Sequence, residues 1–210
     1  YGMTESCSAI TITPPTKDLR ILAETVGWPS DGTDIRLVSP DGVDVADGHE
    51  GEVLVRSPYN MLGYWRQPEA TAQTLSSEGW LSTGDTARKN VNGSYSIVGR
   101  LKEMYKSGGY NVYPKEVEEV LESHEDVKAA AVVSIDDPVW QEVGLAYVQT
   151  NSIVSQDELM KHCRASLANY KVPKRFVRLE QLPLLPIGKI DKEALRARAA
   201  VDYSLGGDET

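Results

Sequence analysis

The sequence predicts an α+β protein in which a β-rich part is followed by a smaller mixed part. Short apolar runs between Asp, Gly and Pro dominate the first hundred residues, which is typical of strands and turns. Helix-start signals followed by apolar residues at helical spacing appear in the second half. Strands and helices do not alternate there in the regular rhythm that a doubly wound parallel sheet requires.

The β-rich part is expected to contain short paired strands. Residues 35–38 and 52–55 are apolar stretches bounded by turn-forming residues. Asn92-Gly93 lies between two stretches that mix polar and apolar residues, and Asn-Gly is a strong short-range signal for a hairpin. We therefore predict a strand on each side of this pair.

Three helices are predicted from their start signals. Pro114 begins the first, because its missing N–H costs nothing in a first turn. Ser155 and Glu158 form a capping box at the start of the second, and Asp191 caps the third, which extends through Ala199. The apolar residues that follow the first two starts share one helix face: Val117, Val120 and Leu121, then Leu159, Cys163 and Leu167.

Strands are predicted between these helices. Residues 127–135 form a long buried strand, residues 143–148 a second and residues 176–179 a short third. The tail from Asp202 to Thr210 is polar and contains glycine, so we expect it to be frayed.

Composition excludes several classes of protein. The 210 residues are 40% apolar and 25% charged, which is typical of a globular chain. A net charge of −9 disfavours binding to nucleic acid or to an anionic membrane, and no apolar run is long enough for a transmembrane segment. Two cysteines, Cys7 and Cys163, are too few for a disulfide scaffold and show no zinc-binding spacing. A reducing, cytoplasmic location is expected.

A local basic stretch interrupts this acidic background. Between residues 161 and 178 there are six basic residues and no acidic one: Lys161, Arg164, Lys171, Lys174, Arg175 and Arg178. Such a stretch suits phosphate groups, and a solvated helix face with a loop explains it equally well.

Two segments near polar turns have side chains suited to a nucleotide. Residues 1–5 (Tyr-Gly-Met-Thr-Glu) combine a ring that stacks on a base, a hydroxyl for phosphate and a carboxylate for Mg²⁺, although such a pentapeptide also occurs in ordinary turns. Residues 82–85 (Ser-Thr-Gly-Asp) end in a carboxylate that accepts hydrogen bonds from both ribose hydroxyls. On its own, the second segment is better explained as an Asx turn.

Two further segments combine glycine with fixed positive charge. Ser107-Gly108-Gly109 provides a backbone without bulky side chains, so that a ligand or another chain approaches closely, and Arg100 and Lys106 lie nearby in sequence. Lys189 follows a glycine on a loop before the last helix, where its ammonium group reaches a phosphate or carboxylate.

In this order and spacing the four segments resemble the adenylate-forming superfamily, which includes acyl- and aryl-CoA synthetases, peptide-synthetase adenylation domains and firefly luciferase. The resemblance covers residues 1–198. Supporting segments are Gly63-Tyr64-Trp65, residues 78–81, residues 170–173 and Leu182-Pro183. It implies an enzyme that uses ATP and Mg²⁺ to convert a carboxylate into an acyl-AMP, and then transfers the acyl group to the thiol of CoA.

The resemblance also implies roles for individual residues. The implied catalytic residues are Lys189, which joins the carboxylate to the α-phosphate, Thr4, which touches phosphate, and Glu5, which holds Mg²⁺. The implied nucleotide and CoA contacts are Tyr1, packing on adenine, Gly2, Asp85 on the ribose, Arg100, Lys106, Ser107, Gly108 and Gly109. Lys102 is the implied hinge between the end of a large domain, residues 1–101, and a small lid domain, residues 102–200, with a tail over 201–210.

The acyl-CoA synthetase branch fits better than the peptide-synthetase branch. Ile187 stands where peptide synthetases usually have Asn, and Lys171 stands where they usually have Met. The expected substrates are therefore a carboxylic acid, with a fatty acid first and an aromatic acid second, ATP and CoA. The basic stretch is a candidate for holding the CoA phosphates. The alternatives are a domain that loads a carrier protein and a non-catalytic binding domain.

The chain begins within a motif, at Tyr1. We therefore expect it to be a fragment without the upstream phosphate-binding loop, and inactive alone.

Overall fold

The computed structural model describes residues 1–204 and divides the chain into two compact units, Tyr1–Lys102 and Glu103–Thr210. The first consists mainly of antiparallel strands, and the second combines a sheet with helices. The predicted α+β class is confirmed.

Four strands of the first unit form an antiparallel sheet in the order β5-β6-β7-β8, and the other four form two ribbons, β1-β2 and β3-β4. The strands are β1 (Gly2–Met3), β2 (Ser8–Ala9), β3 (Thr11–Ile12), β4 (Trp28–Pro29), β5 (Asp34–Val38), β6 (Glu50–Arg56), β7 (Leu81–Lys89) and β8 (Tyr95–Arg100). The helices are α1 (Leu19–Glu24), α2 (Pro68–Thr74) and a 3-10 turn, Thr4–Ser6.

Alternation along β6 explains how this sheet packs. Val53 and Val55 point into the core, where they meet Leu37 and Ala87, while Leu54 between them is more exposed. The predicted hairpin at Asn92-Gly93 joins β7 to β8, and Gly93 has a positive φ of 82° that glycine adopts without strain.

In the second unit the strands β10, β9, β12 and β11 lie side by side in antiparallel order, and β13 adds to β12 in parallel. The strands are β9 (Tyr105–Ser107), β10 (Tyr110–Val112), β11 (Val127–Asp137), β12 (Gln141–Thr150) and β13 (Arg175–Arg178). The helices are α3 (Pro114–Glu122), α4 (Gln156–Ser166), α5 (Lys192–Ser204) and a 3-10 turn, Asn169–Lys171.

Both faces of this sheet are buried. On β11, Ala130 and Val132 belong to a core with residues of α3 and α4, whereas Ala131 and Val133 belong to a second core with Leu195 of α5. This explains why residues 127–135 read as a nearly continuous apolar run rather than an alternating one.

The helix-start predictions agree with the structure. The Ser155 hydroxyl accepts a hydrogen bond from the Glu158 backbone at 3.2 Å, which is one half of the predicted capping box. The Asp191 carboxylate accepts from the Ala194 backbone at 3.0 Å. Cys163 is fully buried in the helix core as expected, whereas Cys7 is exposed.

The predicted fraying of the tail is wrong for residues 202–204, because α5 continues to Ser204. Asp202 accepts hydrogen bonds from Arg198 at 2.6 Å and from the Tyr147 hydroxyl at 2.8 Å, which hold this turn on the sheet. Residues 205–210 lie outside the described part of the chain. Within residues 1–204, no helix has the length and apolar character needed to cross a bilayer.

Candidate functional site

A buried carboxylate on β7, that of Asp85, accepts hydrogen bonds from two polar side chains of the first unit. Asp85 is 6% exposed and lies opposite Arg100 in the β7–β8 register. The Tyr1 hydroxyl donates to its Oδ2 at 2.6 Å, and Arg100 Nε donates to its Oδ1 at 2.9 Å. A carboxylate has about four acceptor positions, so these two bonds leave capacity for two more donors.

The turn before Asp85 fixes its direction. Gly84 has a φ of 71°, and its carbonyl accepts from the Leu101 backbone at 2.9 Å. The Thr83 hydroxyl accepts from the Asp85 backbone at 3.1 Å and donates to the Val53 carbonyl at 2.9 Å. Thr83 thus orients Asp85. No role was predicted for Thr83 from the sequence, although its place two residues before the carboxylate could have indicated this hydrogen bond to the Asp85 backbone.

The hydroxyl of Tyr1 is held by its hydrogen bond to the Asp85 carboxylate. Burial, followed by the hydrogen bond to Asp85, raises the pKa of Tyr1 well above its ordinary value. The hydroxyl therefore remains protonated and acts as a donor. The structure brings together Tyr1, Asp85 and Arg100, three residues of the predicted nucleotide site, whereas packing of the Tyr1 ring on adenine stays a prediction.

The second carboxylate of this unit, Glu5, is held from two sides by one loop. Its Oε1 accepts from the Tyr64 hydroxyl at 2.8 Å, and its backbone carbonyl accepts from the Met61 backbone at 2.7 Å. The Tyr64 backbone in turn donates to the Thr71 hydroxyl at 2.9 Å. Tyr64 was noted in a supporting segment of the sequence, but its contact with Glu5, 59 residues away, has no local signal.

Glu5 suits a magnesium ion that is shared with a phosphate. Its Oε2 makes no hydrogen bond or ion pair to any residue in the range 1–204. The described residues also include no group of three acidic, His or Cys side chains that could hold a metal by themselves. A single free carboxylate oxygen matches Mg²⁺, which usually binds through one or two carboxylates together with phosphates and water. Thr4 is exposed beside it.

Gly2 is required by the local ribbon. A Cβ at this position would lie 1.7 Å from the carbonyl oxygen of Ser8, the residue next to its partner in the β1–β2 pair. The close approach that favours glycine here is therefore between two strands of the protein.

In the second unit, the predicted glycine segment forms the turn between β9 and β10. Gly108 has a φ of 58°, and a Cβ there would lie 2.8 Å from Cε3 of Trp140. Gly109 has a φ of 85° and open space around it. Ser107 is 1% exposed, and its hydroxyl has no hydrogen-bond partner, while the Lys106 side chain is exposed. No local feature of the sequence predicts Trp140 beside this turn.

Lys189 lies at the tip of a small hairpin. Leu184 and Ile190 form an isolated bridge, and the Leu185 backbone donates to the Lys189 carbonyl at 2.7 Å. Gly188 has a φ of 82°, which closes the turn. The Lys189 side chain is exposed and makes no ion pair with a described residue. Lys102 is an exposed turn residue and the last residue of the first unit.

Three of the six residues of the basic stretch make contacts within the second unit. Lys171 Nζ lies 2.7 Å from both carboxylate oxygens of Glu116, Lys174 Nζ lies 4.7 Å from the Trp140 ring centroid, and Arg175 donates to the Tyr203 carbonyl at 2.7 Å. The remaining three side chains are exposed: Lys161, Arg164 and Arg178.

Two family models match the chain. The model described as AMP-binding enzyme matches residues 1–65, and the model described as AMP-binding enzyme C-terminal domain matches residues 116–189. A feruloyl-CoA synthase from Amycolatopsis sp is 42% identical over 94% of this chain and 40% of its own length. A long-chain-fatty-acid–CoA ligase from Yersinia pestis is 41% identical over 93% of this chain and 34% of its own length. The chain thus spans about two fifths or less of these relatives.

Solved structures agree with the family models. An o-succinylbenzoate CoA synthetase from Bacillus subtilis, in complex with ATP and magnesium ion, superposes with a TM-score of 0.86 at 33% identity, covering 93% of this chain and 40% of that one. An amide bond synthetase from Marinactinospora thermotolerans superposes with a TM-score of 0.80 at 38% identity, covering 85% of this chain and 37% of that one.

Proposed function

The chain belongs to the adenylate-forming family of AMP-binding enzymes, and from this membership we propose that the whole protein is an AMP-forming acid–CoA ligase. A carboxylic acid reacts with ATP to give acyl-AMP and pyrophosphate, and the thiol of CoA then displaces AMP to give the thioester. The observation that carries the proposal is the Asp85 carboxylate, buried yet with acceptor capacity left, beside Tyr1 and Arg100.

The first unit would bind the nucleotide. Asp85 accepts hydrogen bonds from the ribose hydroxyls, since two acceptor positions remain on its carboxylate. Glu5 holds Mg²⁺ through its free oxygen, and Thr4 contacts a phosphate. When bound, Mg²⁺ supplies positive charge to the leaving pyrophosphate.

Lys189 would supply the cation for the first half-reaction. Attack of a carboxylate on the α-phosphate brings two anions together, and an ammonium group at the bridging oxygens stabilises the charge that develops there. Its exposed position on a hairpin tip, with no competing ion pair among the described residues, supports this role.

In the second half-reaction, the second unit would move so that a different segment of it faces the bound acyl-AMP. We propose Lys102 as the pivot of this movement, since it lies at the boundary between the two units. The turn at Gly108-Gly109 then takes the place of Lys189, and the open space at Gly109 admits the pantetheine arm. Lys106 and the exposed basic residues of the second unit would contact CoA phosphates.

The acid is proposed to be a fatty acid, with aromatic acids second. Relatives of both kinds occur at nearly equal identity, 41% for a long-chain-fatty-acid ligase and 42% for a feruloyl-CoA synthase. The two unpaired cysteines support the proposed location in a reducing compartment, the cytoplasm. A fatty acid substrate would assign the protein to fatty acid metabolism.

ATP–pyrophosphate exchange with a panel of fatty and aromatic acids tests the proposal in the full-length protein, followed by thioester formation with CoA or a phosphopantetheinyl carrier protein. Lys189→Ala should abolish acyl-AMP formation and spare thioester formation from supplied acyl-AMP. Lys128→Ala, which removes another exposed lysine of the same unit, is the matched control. Absence of exchange with every acid would support the non-catalytic alternative, and transfer to the carrier protein alone would support the loading domain.

A further inference from the structure

A partly buried ion triad in the second unit includes Lys192, which follows Lys189 by three residues. Lys192 is the first residue of α5, and its ammonium group pairs with Glu103 and, at 2.8 Å, with Oε1 of Glu118 on α3. All three side chains are largely shielded: Lys192 is 17%, Glu103 28% and Glu118 14% exposed. Surface lysines seldom satisfy two shielded carboxylates at once, because desolvation of three charges is costly.

The two acidic members of the triad belong to different parts of the second unit. Oε1 of Glu118 also accepts from the Val132 backbone on β11 at 2.7 Å. Burial raises the pKa of Glu118, and the Lys192 ammonium opposes this shift. Glu103 is the first residue of the second unit, immediately after Lys102.

The chain between Lys189 and Lys192 is short and fixed. The Asp191 backbone donates to the Pro183 carbonyl at 2.8 Å, and the Asp191 side chain caps α5. The base of the hairpin and the start of the helix are thus one continuous hydrogen-bonded piece. The ion pairs that fix Lys192 therefore also fix the base of the hairpin from which Lys189 projects.

We propose that Lys192 is a positioning residue for adenylate formation, which fixes the Lys189 hairpin to α3 and to the segment that follows Lys102. The inference depends on the proposed role of Lys189. Through the triad, the hairpin moves as one body with the residues next to the pivot, so that the Lys189 ammonium arrives with little positional freedom. Small errors in placing a reacting group carry large costs in rate.

The test is Lys192→Met in the full-length enzyme, with Lys128→Met as the matched control. We expect the rate constant for acyl-AMP formation to fall roughly tenfold or more, with the KM for ATP nearly unchanged, since the group that is displaced acts in the transition state. Thioester formation from supplied acyl-AMP should stay within about threefold. Lys192→Arg should restore most of the adenylation rate, because it keeps the charge.

Removing Lys192 alone leaves two unpaired carboxylates and could unfold the unit. Lys192→Met combined with Glu118→Gln removes one of those charges and keeps an acceptor for the Val132 backbone. This double variant should melt near the wild-type temperature and still adenylate slowly. Normal adenylation by the folded double variant, or equal loss of both half-reactions, overturns the proposal. If Lys189→Ala itself adenylates normally, the proposed role of Lys189 fails instead, and if the unsubstituted enzyme forms no acyl-AMP with any acid, the proposed function fails.

Discussion

The hydroxyl of Tyr1 donates a 2.6 Å hydrogen bond to the carboxylate of Asp85, across 84 residues of sequence. This bond and the one from Arg100 occupy one oxygen each, so donors on both sides fix the orientation of the carboxylate. The residue just before β1 and strand β7 are thereby joined at the residue that we assign to the ribose of ATP.

Asp85→Asn should weaken ATP use strongly, because an amide places a donor against the Tyr1 or Arg100 donors. Hydrogen bonds to charged groups contribute about 1.5–3 kcal/mol, which corresponds to a loss of roughly 10- to 100-fold in kcat/KM for ATP. Pyrophosphate exchange at varied ATP measures the effect. Asp41→Asn, at an exposed position of the same unit, should be neutral. An unchanged KM and kcat in Asp85→Asn would remove this residue from the site.

Tyr64→Phe should raise the Mg²⁺ concentration needed for half-maximal adenylation, since it removes the donor that fixes Glu5 at 2.8 Å. Loss of this one bond at a partly exposed site should cost roughly threefold to tenfold. Binding of Mn²⁺ together with ATP, followed by electron paramagnetic resonance, gives a second readout that is independent of turnover. Tyr59→Phe is the matched control, since Tyr59 is 58% exposed. Equal Mg²⁺ dependence in the two variants would contradict the role of Tyr64.

Gly108→Ala and Gly109→Ala should differ, although both glycines have positive φ. Both substitutions incur the backbone strain of about 1 kcal/mol that a Cβ brings in this region. Only at Gly108 does the new Cβ also meet Trp140, at 2.8 Å. We expect Gly108→Ala to lower the melting temperature more, and to impair thioester formation while sparing acyl-AMP formation. Identical melting curves for the two variants would contradict the packing argument.

The two cysteines should react very differently with a thiol reagent. Burial raises the pKa of Cys163 from its ordinary 9.0 to about 11, so almost no thiolate forms in the folded protein at pH 8, whereas Cys7 is exposed. In native protein the reagent should therefore label Cys7 and leave Cys163 unlabelled, and denaturation should make Cys163 react, as mass spectrometry of the labelled peptides measures. Rapid labelling of Cys163 in native protein would contradict its burial.

The raised pKa of Cys163 also makes the free energy of unfolding depend on pH. Because the folded state retains the Cys163 proton above pH 9, where an unfolded chain loses it, stability is fully present below that pH. It should decline as the pH rises through about 11. A Cys163→Ser variant, which does not titrate in this range, should show a smaller decline in urea midpoint.

Local signals in the sequence were sufficient for much of the fold. Pro114 and the spacing of Val117 and Leu121 define α3, and Asn92-Gly93 defines a hairpin, because these features act over a few residues. The fraying predicted for Asp202 was wrong because two contacts hold this residue, one with Arg198 four residues away and one with Tyr147, which lies 55 residues away on β12. A contact of that kind leaves no trace in the composition of the tail.

The candidate site shows the same division. Asp85, Glu5 and Lys189 are predicted as site residues because their residue types, order and spacing resemble the motifs of a family. Their supports are not, since Tyr64 reaches Glu5 over 59 residues and Lys192 reaches Glu103 over 89. Such pairs depend on how distant elements fold together.

The packing of α5 against one face of the sheet affects the order in which the second unit is completed during synthesis. Leu145 and Tyr147 of β12 are covered by Leu195 and Ala199 of α5. A nascent chain that has released β12 but not yet α5 therefore exposes one apolar face of its sheet to the cell. Chaperone capture and proteolysis should be most effective in that interval, so premature termination before residue 195 should yield a short-lived product rather than a stable truncated protein.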